Sequence, residues 1–258
     1  METLEVFRQN GVVTVTMSRP AKKNAANATM WQELLDTFRQ IADTNSDRVL
    51  VLTGAGGEFC SGADLGADGA RVADRHQLSS MRHISDVCLA LARIPQPTIA
   101  KVRGVAVGAG CNMAFICDLV VASNSARFSE IFSKRGLSID FGGSWVLPRR
   151  IGLHRAKELA FFAEIIDSTE AERLGLVNRV LPDGELDDFV DSWAKQLAAG
   201  PPIALAQSKR LLNNSANVTL EQALDDEGAA QTVNFGTKDT IEAMLAFAEK
   251  RDPRFTGR

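Results

Sequence analysis

An α/β fold that ends in a helical region is the architecture this 258-residue chain predicts. Three observations point there: two alternating strands around Asn10-Gly11, short apolar runs that alternate with helical periodicity, and an almost purely helical pattern from about residue 152.

Residues 3 to 8 and 11 to 17 alternate apolar and polar side chains about Asn10-Gly11, the strongest short hairpin signal. Residues 28 to 42 then place Met30, Leu34, Leu35, Phe38 and Ile41 at helical spacing, and Val49 to Leu52 is a buried strand. A helix between two strands implies a parallel crossover. The pattern returns with a helix over residues 77 to 93, stopped by Pro95 and Pro97, and a strand from Thr98 to Val102. A Gly-rich turn, a short helix from Met113 to Cys117 and the strand Leu119 to Ala122 follow, so two β-β-α turns are legible. Gly200-Pro201-Pro202 is the strongest break and divides the chain into a core, residues 1–199, and a C-terminal helical region, residues 200–258.

Composition narrows the function. With 45% hydrophobic and 24% charged residues the chain is of ordinary globular type. No run approaches the ~18 apolar residues of a membrane span. The start, Met1-Glu-Thr-Leu-Glu-Val-Phe-Arg, lacks the basic and apolar regions of a secretory signal, which predicts a cytoplasmic protein with no membrane partner. A net charge of -3 with both signs scattered offers no basic face for nucleic acid. Cys60, Cys88, Cys111 and Cys117 contain no CxxC pair and meet no histidine cluster, so no metal site is expected and buried thiols are the simplest reading.

Two loops carry the chemical signal. Gly54-Ala-Gly-Gly-Glu-Phe-Cys-Ser-Gly-Ala-Asp64-Leu follows a buried strand, and Gly104-Val-Ala-Val-Gly108-Ala109-Gly110-Cys111-Asn112 follows another and opens a helix. Small residues let backbone approach a ligand, and helix N-termini present unpaired N–H groups. Two such loops after neighbouring strands could direct two amides at one developing oxyanion; either alone is also explained as a tight turn.

These loops, about forty-five residues apart, resemble the two signature segments of the enoyl-CoA hydratase/isomerase (crotonase) superfamily. Arg19-Pro-Ala-Lys-Lys-Asn-Ala25, Cys117-Asp118-Leu-Val-Val-Ala122 and Ala171-Glu-Arg-Leu-Gly-Leu-Val-Asn178-Arg-Val extend the resemblance over essentially the whole chain. It implies a spiral of β-β-α turns, a C-terminal helical trimerisation region, and a homotrimer or a hexamer built as a dimer of trimers. It also implies an acyl-CoA thioester substrate, with coenzyme A as part of that substrate and no separate cofactor. By the same resemblance the oxyanion donors are the backbone N–H groups of Ala63 and Ala109, with Gly110 in reserve. Lys22, Lys23, Ala25, Phe59, Ser61, Asp64 and Leu65 match the coenzyme-binding region, and Phe247 and Lys250 match residues that reach the coenzyme of a neighbouring subunit.

The reaction is read from the carboxylates. Members of the family that hydrate enoyl thioesters resemble one another in using two glutamates, and the matching positions here are Asn112 and Phe132. Neither exchanges a proton at neutral pH, so hydration by that route is weak or lost. The run Phe132-Ser-Lys-Arg-Gly-Leu-Ser-Ile-Asp140-Phe-Gly-Gly-Ser-Trp145 resembles ring-epoxide phenylacetyl-CoA isomerases and related enoyl-CoA isomerases, in which the matching Asp is catalytic. Shifting a double bond needs one base, and Asp140 is the candidate; helix capping is its structural alternative. Apolar neighbours raise its pKa while a helix start lowers it. Glu130 could swing toward substrate but is expected to be a solvated loop carboxylate, Asp118 a structural one, and His76, His83 and His154 surface residues. Asn112 is expected to bond substrate or water, or to cap or pack, and the segment from Gly66 to Ser80 to shape the acyl pocket. Three alternatives remain open: a weak hydratase, an enzyme with Asp140 as nucleophile, and a non-catalytic acyl-CoA binding protein.

Overall fold

The computed structural model describes residues 1–66 and 76–258. Strands β1 (Leu4–Gln9) and β2 (Val12–Met17) form the expected hairpin, with Asn10 and Gly11 at φ 51° and 81° as the two-residue turn requires. Helix α1 (Ala28–Asp43) starts where the Asn27 side chain accepts the Met30 N–H at 3.0 Å. Its buried stripe, Met30, Leu34, Phe38 and Ile41, follows the predicted spacing.

Strand β3 (Val49–Gly54) lies parallel to β2, and α2 (Gln77–Ala92) returns the chain to β4 (Thr98–Val102). Beyond β4 come β5 (Val105–Val107), α3 (Ala109–Ile116), β6 (Leu119–Ser123) and β7 (Arg127–Ser129). Helix α4 (Gly143–Phe162), broken at Gly152, then leads to β8 (Ile166–Asp167), α5 (Ser168–Leu174), β9 (Arg179–Leu181) and α6 (Leu186–Ala198). Helices α7 (Pro202–Asn214), α8 (Leu220–Phe235) and α9 (Lys238–Glu249) complete the chain.

The strands form one sheet in the order β1-β2-β3-β4-β6-β9, parallel after the hairpin, and a smaller one in the order β5-β7-β8. A bridge between Cys60 and Ala106 extends the small sheet into the loop after β3. Each turn of the spiral therefore runs from the large sheet to the small sheet to a helix: β3, Cys60, α2; then β4, β5, α3; then β6, β7, α4. The main core lies between α1, α2 and α3 and one face of the large sheet, and α6 covers the other face with Leu186, Val190 and Ala194 against Val49, Val51, Ile99 and Val121.

Two sequence expectations change. The short helix begins at Ala109, four residues before Met113, and the part beyond residue 152 is not purely helical, because β8 and β9 join the two sheets. Strands of two or three residues show no alternation and exist only through their partners. Among the described residues no helix is long and apolar enough to cross a membrane, and no cluster of metal-binding side chains is present.

Candidate active site

The loop after β3 is held by strand-like bonds to its neighbour. The amides of Phe59 and Cys60 donate to the Arg103 and Val105 carbonyls at 2.8 and 2.9 Å, and the Val107 amide donates to the Cys60 carbonyl at 2.9 Å. Phe59 and Cys60 are wholly buried in the main core. The Phe59 ring, at zero exposure, therefore anchors the loop in the core. Burial also pushes the Cys60 thiol up to about 11, leaving it inert.

Anchored in this way, the two Gly-rich segments touch. A Cβ at Gly62 would lie 2.8 Å from the Val107 oxygen and 3.7 Å from the Ala109 nitrogen, and one at Gly110 would overlap the Cys60 carbonyl. Ala63 sits in a parallel bridge with Ala26, in which the Ala26 amide bonds the Gly62 oxygen and the Asp64 amide bonds the Ala26 oxygen, at 2.8 and 2.9 Å. In that pattern the N–H of Ala63 points away from its partner strand. Ala109 is the first residue of α3, so its N–H has no partner within the helix and lies at the positive end of the helix dipole. The fold thus brings together two backbone amides from two neighbouring turns of the spiral.

The Lys22–Ala25 turn is fixed onto the same loop by Asn24, a residue with no local signal of that role. Asn24, fully buried, accepts the Arg19 amide at 2.9 Å and donates to the Ala55 and Glu58 carbonyls at 2.9 and 2.6 Å. Arg19 bonds the Ala25 carbonyl and pairs with Asp64 at 2.9 Å. The Gly66 amide, and then Arg19, hold the Asp64 carboxyl below its usual range against the effect of burial. Asp64 thus ties the loop together. The Ser61 hydroxyl bonds the Lys22 carbonyl at 3.1 Å, Lys23 pairs with Glu58 at 2.9 Å, and Lys22 and Leu65 remain exposed. Lys22, Lys23, Ala25, Ser61, Asp64 and Leu65 therefore lie in one neighbourhood. Phe247 and Lys250 do not join it: they lie at the end of α9, Phe247 beside Pro201, Ile203 and Met244. Residues 67–75 of the expected acyl-pocket segment lie outside the described residues.

A second cluster flanks α3. Asn112, fully buried, donates through Nδ2 to Glu130 Oε2 at 3.2 Å and to the main-chain oxygen of Asp140 at 2.9 Å. Glu130 is only 2% exposed, which overturns its expected place in a solvated loop. Strand β7 pairs with β5, the Gly108 amide bonds the Ser129 carbonyl at 2.8 Å, and the chain then tightens into the 3₁₀ turn Ile131–Arg135, carrying Glu130 inward beside α3. Phe132 is 7% exposed, and its ring packs by the Gly108 backbone. Asp140 is partly buried, and no side chain caps α4, whose N-cap is Gly142, so capping does not explain Asp140. Phe141 stacks on Trp31 at 5.7 Å, whereas the partly exposed Trp145 lies under Arg149. Burial raises the Asp140 carboxyl to about 6 and the Glu130 carboxyl to about 7. One oxygen each of Asn112, Glu130 and Asp140 has no hydrogen-bond partner among the described residues.

Asp118 is structural as expected, accepting from Thr98 N and Oγ1 at 2.8 and 2.9 Å and pairing with Lys209 at 2.7 Å. His76 caps α2, and His154 is exposed.

The family model for enoyl-CoA hydratase/isomerase matches residues 7–258. The chain belongs to the enoyl-CoA hydratase/isomerase family. It is 36% identical to a 1,2-epoxyphenylacetyl-CoA isomerase of Escherichia coli and 33% identical to a 2,3-dehydroadipyl-CoA hydratase of the same organism, with both chains covered completely in each case. The crystal structure of an enoyl-CoA hydratase from Bacillus anthracis superposes with a TM-score of 0.94 at 32% identity, covering 99% of this chain and all of that one.

Proposed function

We propose that this enzyme shifts a double bond in an enoyl-CoA thioester. The amides of Ala63 and Ala109 hold the thioester oxygen, and Asp140 removes a proton from carbon 2 of a 3-enoyl group. Charge moves onto the oxygen as a dienolate, the double bond moves from carbons 3–4 to carbons 2–3, and the proton returns to carbon 4. The observation that carries this reading is Asp140 itself, a carboxyl with one unbonded oxygen and a pKa raised to about 6, hence ionised yet basic at neutral pH. Its similarity to an epoxyphenylacetyl-CoA isomerase adds support.

In this reading Lys22, Lys23, Ala25, Ser61, Asp64 and Leu65 hold the coenzyme end of the substrate, and no separate cofactor takes part. The exposed apolar side chains of Leu212, Leu224, Phe235, Ile241, Leu245 and Phe247 support a trimer, or a dimer of trimers, in which Phe247 and Lys250 meet a neighbour's coenzyme.

Incubation with a 3-enoyl-CoA should raise conjugated thioester absorbance, and Asp140→Asn should lower that rate by about 10²- to 10⁴-fold while acyl-CoA still binds. Undiminished turnover in the variant would remove Asp140 from the mechanism. One observation favours a second reading: Glu130 is a second buried carboxyl beside Asp140, and hydration needs both an acid and a base. Loss of absorbance from a 2-enoyl-CoA at a comparable rate would favour hydration.

A further inference from the structure

Asn112, Glu130 and Asp140 present an unequal hydrogen-bond count. The amide of Asn112 spends its Nδ2 donor on Glu130 and on the Asp140 main chain. Asn112 Oδ1, Glu130 Oε1 and Asp140 Oδ1 remain, all buried and all acceptors when both carboxyls are ionised. Among the described residues no lysine or arginine pairs with Glu130 or Asp140. A buried carboxylate on the Asn112 amide, a second and partly buried one on the residue whose main chain that amide also holds, and three oxygens with no donor among the described residues make an arrangement that a single proton relieves, because it removes one charge and turns one acceptor into a donor. Glu130 is the more buried of the two carboxyls, and so gains more from carrying that proton.

We propose that Glu130 works as a neutral carboxylic acid: a positioning residue that fixes the Asp140 main chain through Asn112 and whose ionisation slows the reaction by adding a second negative charge beside the base and its dienolate. This role rests on the isomerase reading of Asp140 and extends it. The groups facing Glu130 are the Cys111 thiol from α3, the Asn112 amide, which donates to it at 3.2 Å, and Asp140 from the loop before α4. Lys134 and Arg135, on its own turn, point to solvent. Burial, with Glu130 beside it, holds the Cys111 thiol neutral, so among the described residues Asp140 is the one charged group that couples to Glu130. Glu130 titrates above Asp140, at about 7 against about 6. The active combination is Asp140 ionised with Glu130 neutral, the state that the deeper burial of Glu130 favours.

The test is the pH dependence of kcat/KM on a 3-enoyl-CoA from about pH 5 to 9, for the wild-type enzyme and Glu130→Gln, an isosteric neutral mimic of the protonated acid. The wild type should give a bell, with an acid limb from Asp140 and an alkaline limb from Glu130. Glu130→Gln should keep the acid limb, match the wild-type rate near pH 6 within about threefold, and exceed it about tenfold at pH 8, since a one-proton limb falls tenfold per pH unit beyond its pKa. Superimposable profiles would overturn the proposal. So would a variant inactive at every pH that still binds acyl-CoA, because Glu130 would then be a proton-transfer residue. If the variant does not fold, the wild-type profile decides: a rise without an alkaline limb overturns the proposal. Carboxyl carbon NMR of glutamate-labelled enzyme needs no turnover and separates this idea from the isomerase reading. Glu130 is the one buried glutamate among the described residues. A glutamate titrating near neutrality supports the neutral acid even if the reaction proves different, and all glutamates titrating in the ordinary range overturn it.

Discussion

Asp140→Asn should make the protein more stable while making it a worse catalyst, and the gain should depend on pH in a way that only a buried carboxyl produces. Burial lifts the Asp140 pKa from 3.8 to about 6 in the folded state. A difference of about two pH units corresponds to about 3 kcal/mol, and partial solvent contact reduces the expected effect to about 2 kcal/mol. The sign follows from the raised value. Below pH 3.8 both states hold the proton and no penalty exists. As pH climbs from 3.8 to 6 the unfolded chain releases its proton while the folded one retains it, so wild-type stability falls, and above 6 the penalty is constant. Asparagine carries no charge to desolvate and escapes this loss. Urea unfolding of both proteins at one protein concentration, from pH 4.5 to 8, gives the difference directly, since effects of all groups that do not couple to Asp140 cancel. Over this range the stability of the variant minus that of the wild type should grow by about 1.5 kcal/mol, the rest of the penalty having accrued below pH 4.5, and level off above pH 6 to 7. A difference independent of pH would refute the claim that Asp140 is a desolvated carboxyl, and with it the electrostatic basis for its choice as base.

Two further outcomes test the rest of the site. Ala109→Pro deletes one proposed oxyanion donor at the first position of α3, where proline is tolerated, so kcat should fall about 10²- to 10³-fold with the circular dichroism spectrum unchanged; a rate within a few fold of wild type would assign the oxygen to other donors. Asn24→Ala leaves the Ala55 and Glu58 carbonyls without their buried donor, and should lower stability by about 1 to 3 kcal/mol and raise KM for acyl-CoA, because the Lys22–Ala25 turn loosens; calorimetry together with steady-state kinetics measures both.

Much of this protein was legible in its sequence because the signals are local. The Asn10-Gly11 turn, the periodic stripe of α1, the apolar run of β3 and the proline stop after α2 each depend on residues within a few positions of one another, and each element formed where its pattern lay. The small residues of the two loops likewise revealed that backbone comes close to something, and Asp140 stood out as a lone carboxylate among apolar neighbours. Tertiary structure alone decided what those loops approach. Gly110 is small because the Cys60 carbonyl, fifty positions earlier, occupies the space a side chain would fill. Strands β5, β7 and β9 are three residues each and have no pattern of their own; pairing across the spiral creates them. That pairing also buried Glu130, whose charged side chain after a short strand gave every local sign of facing water. A hydrogen bond across eighteen residues, from Asn112 to Glu130, depends on the path of the chain between them, and so the linking of the Glu130 carboxyl to the Asp140 main chain through one amide belongs to the fold and not to the sequence read along its length.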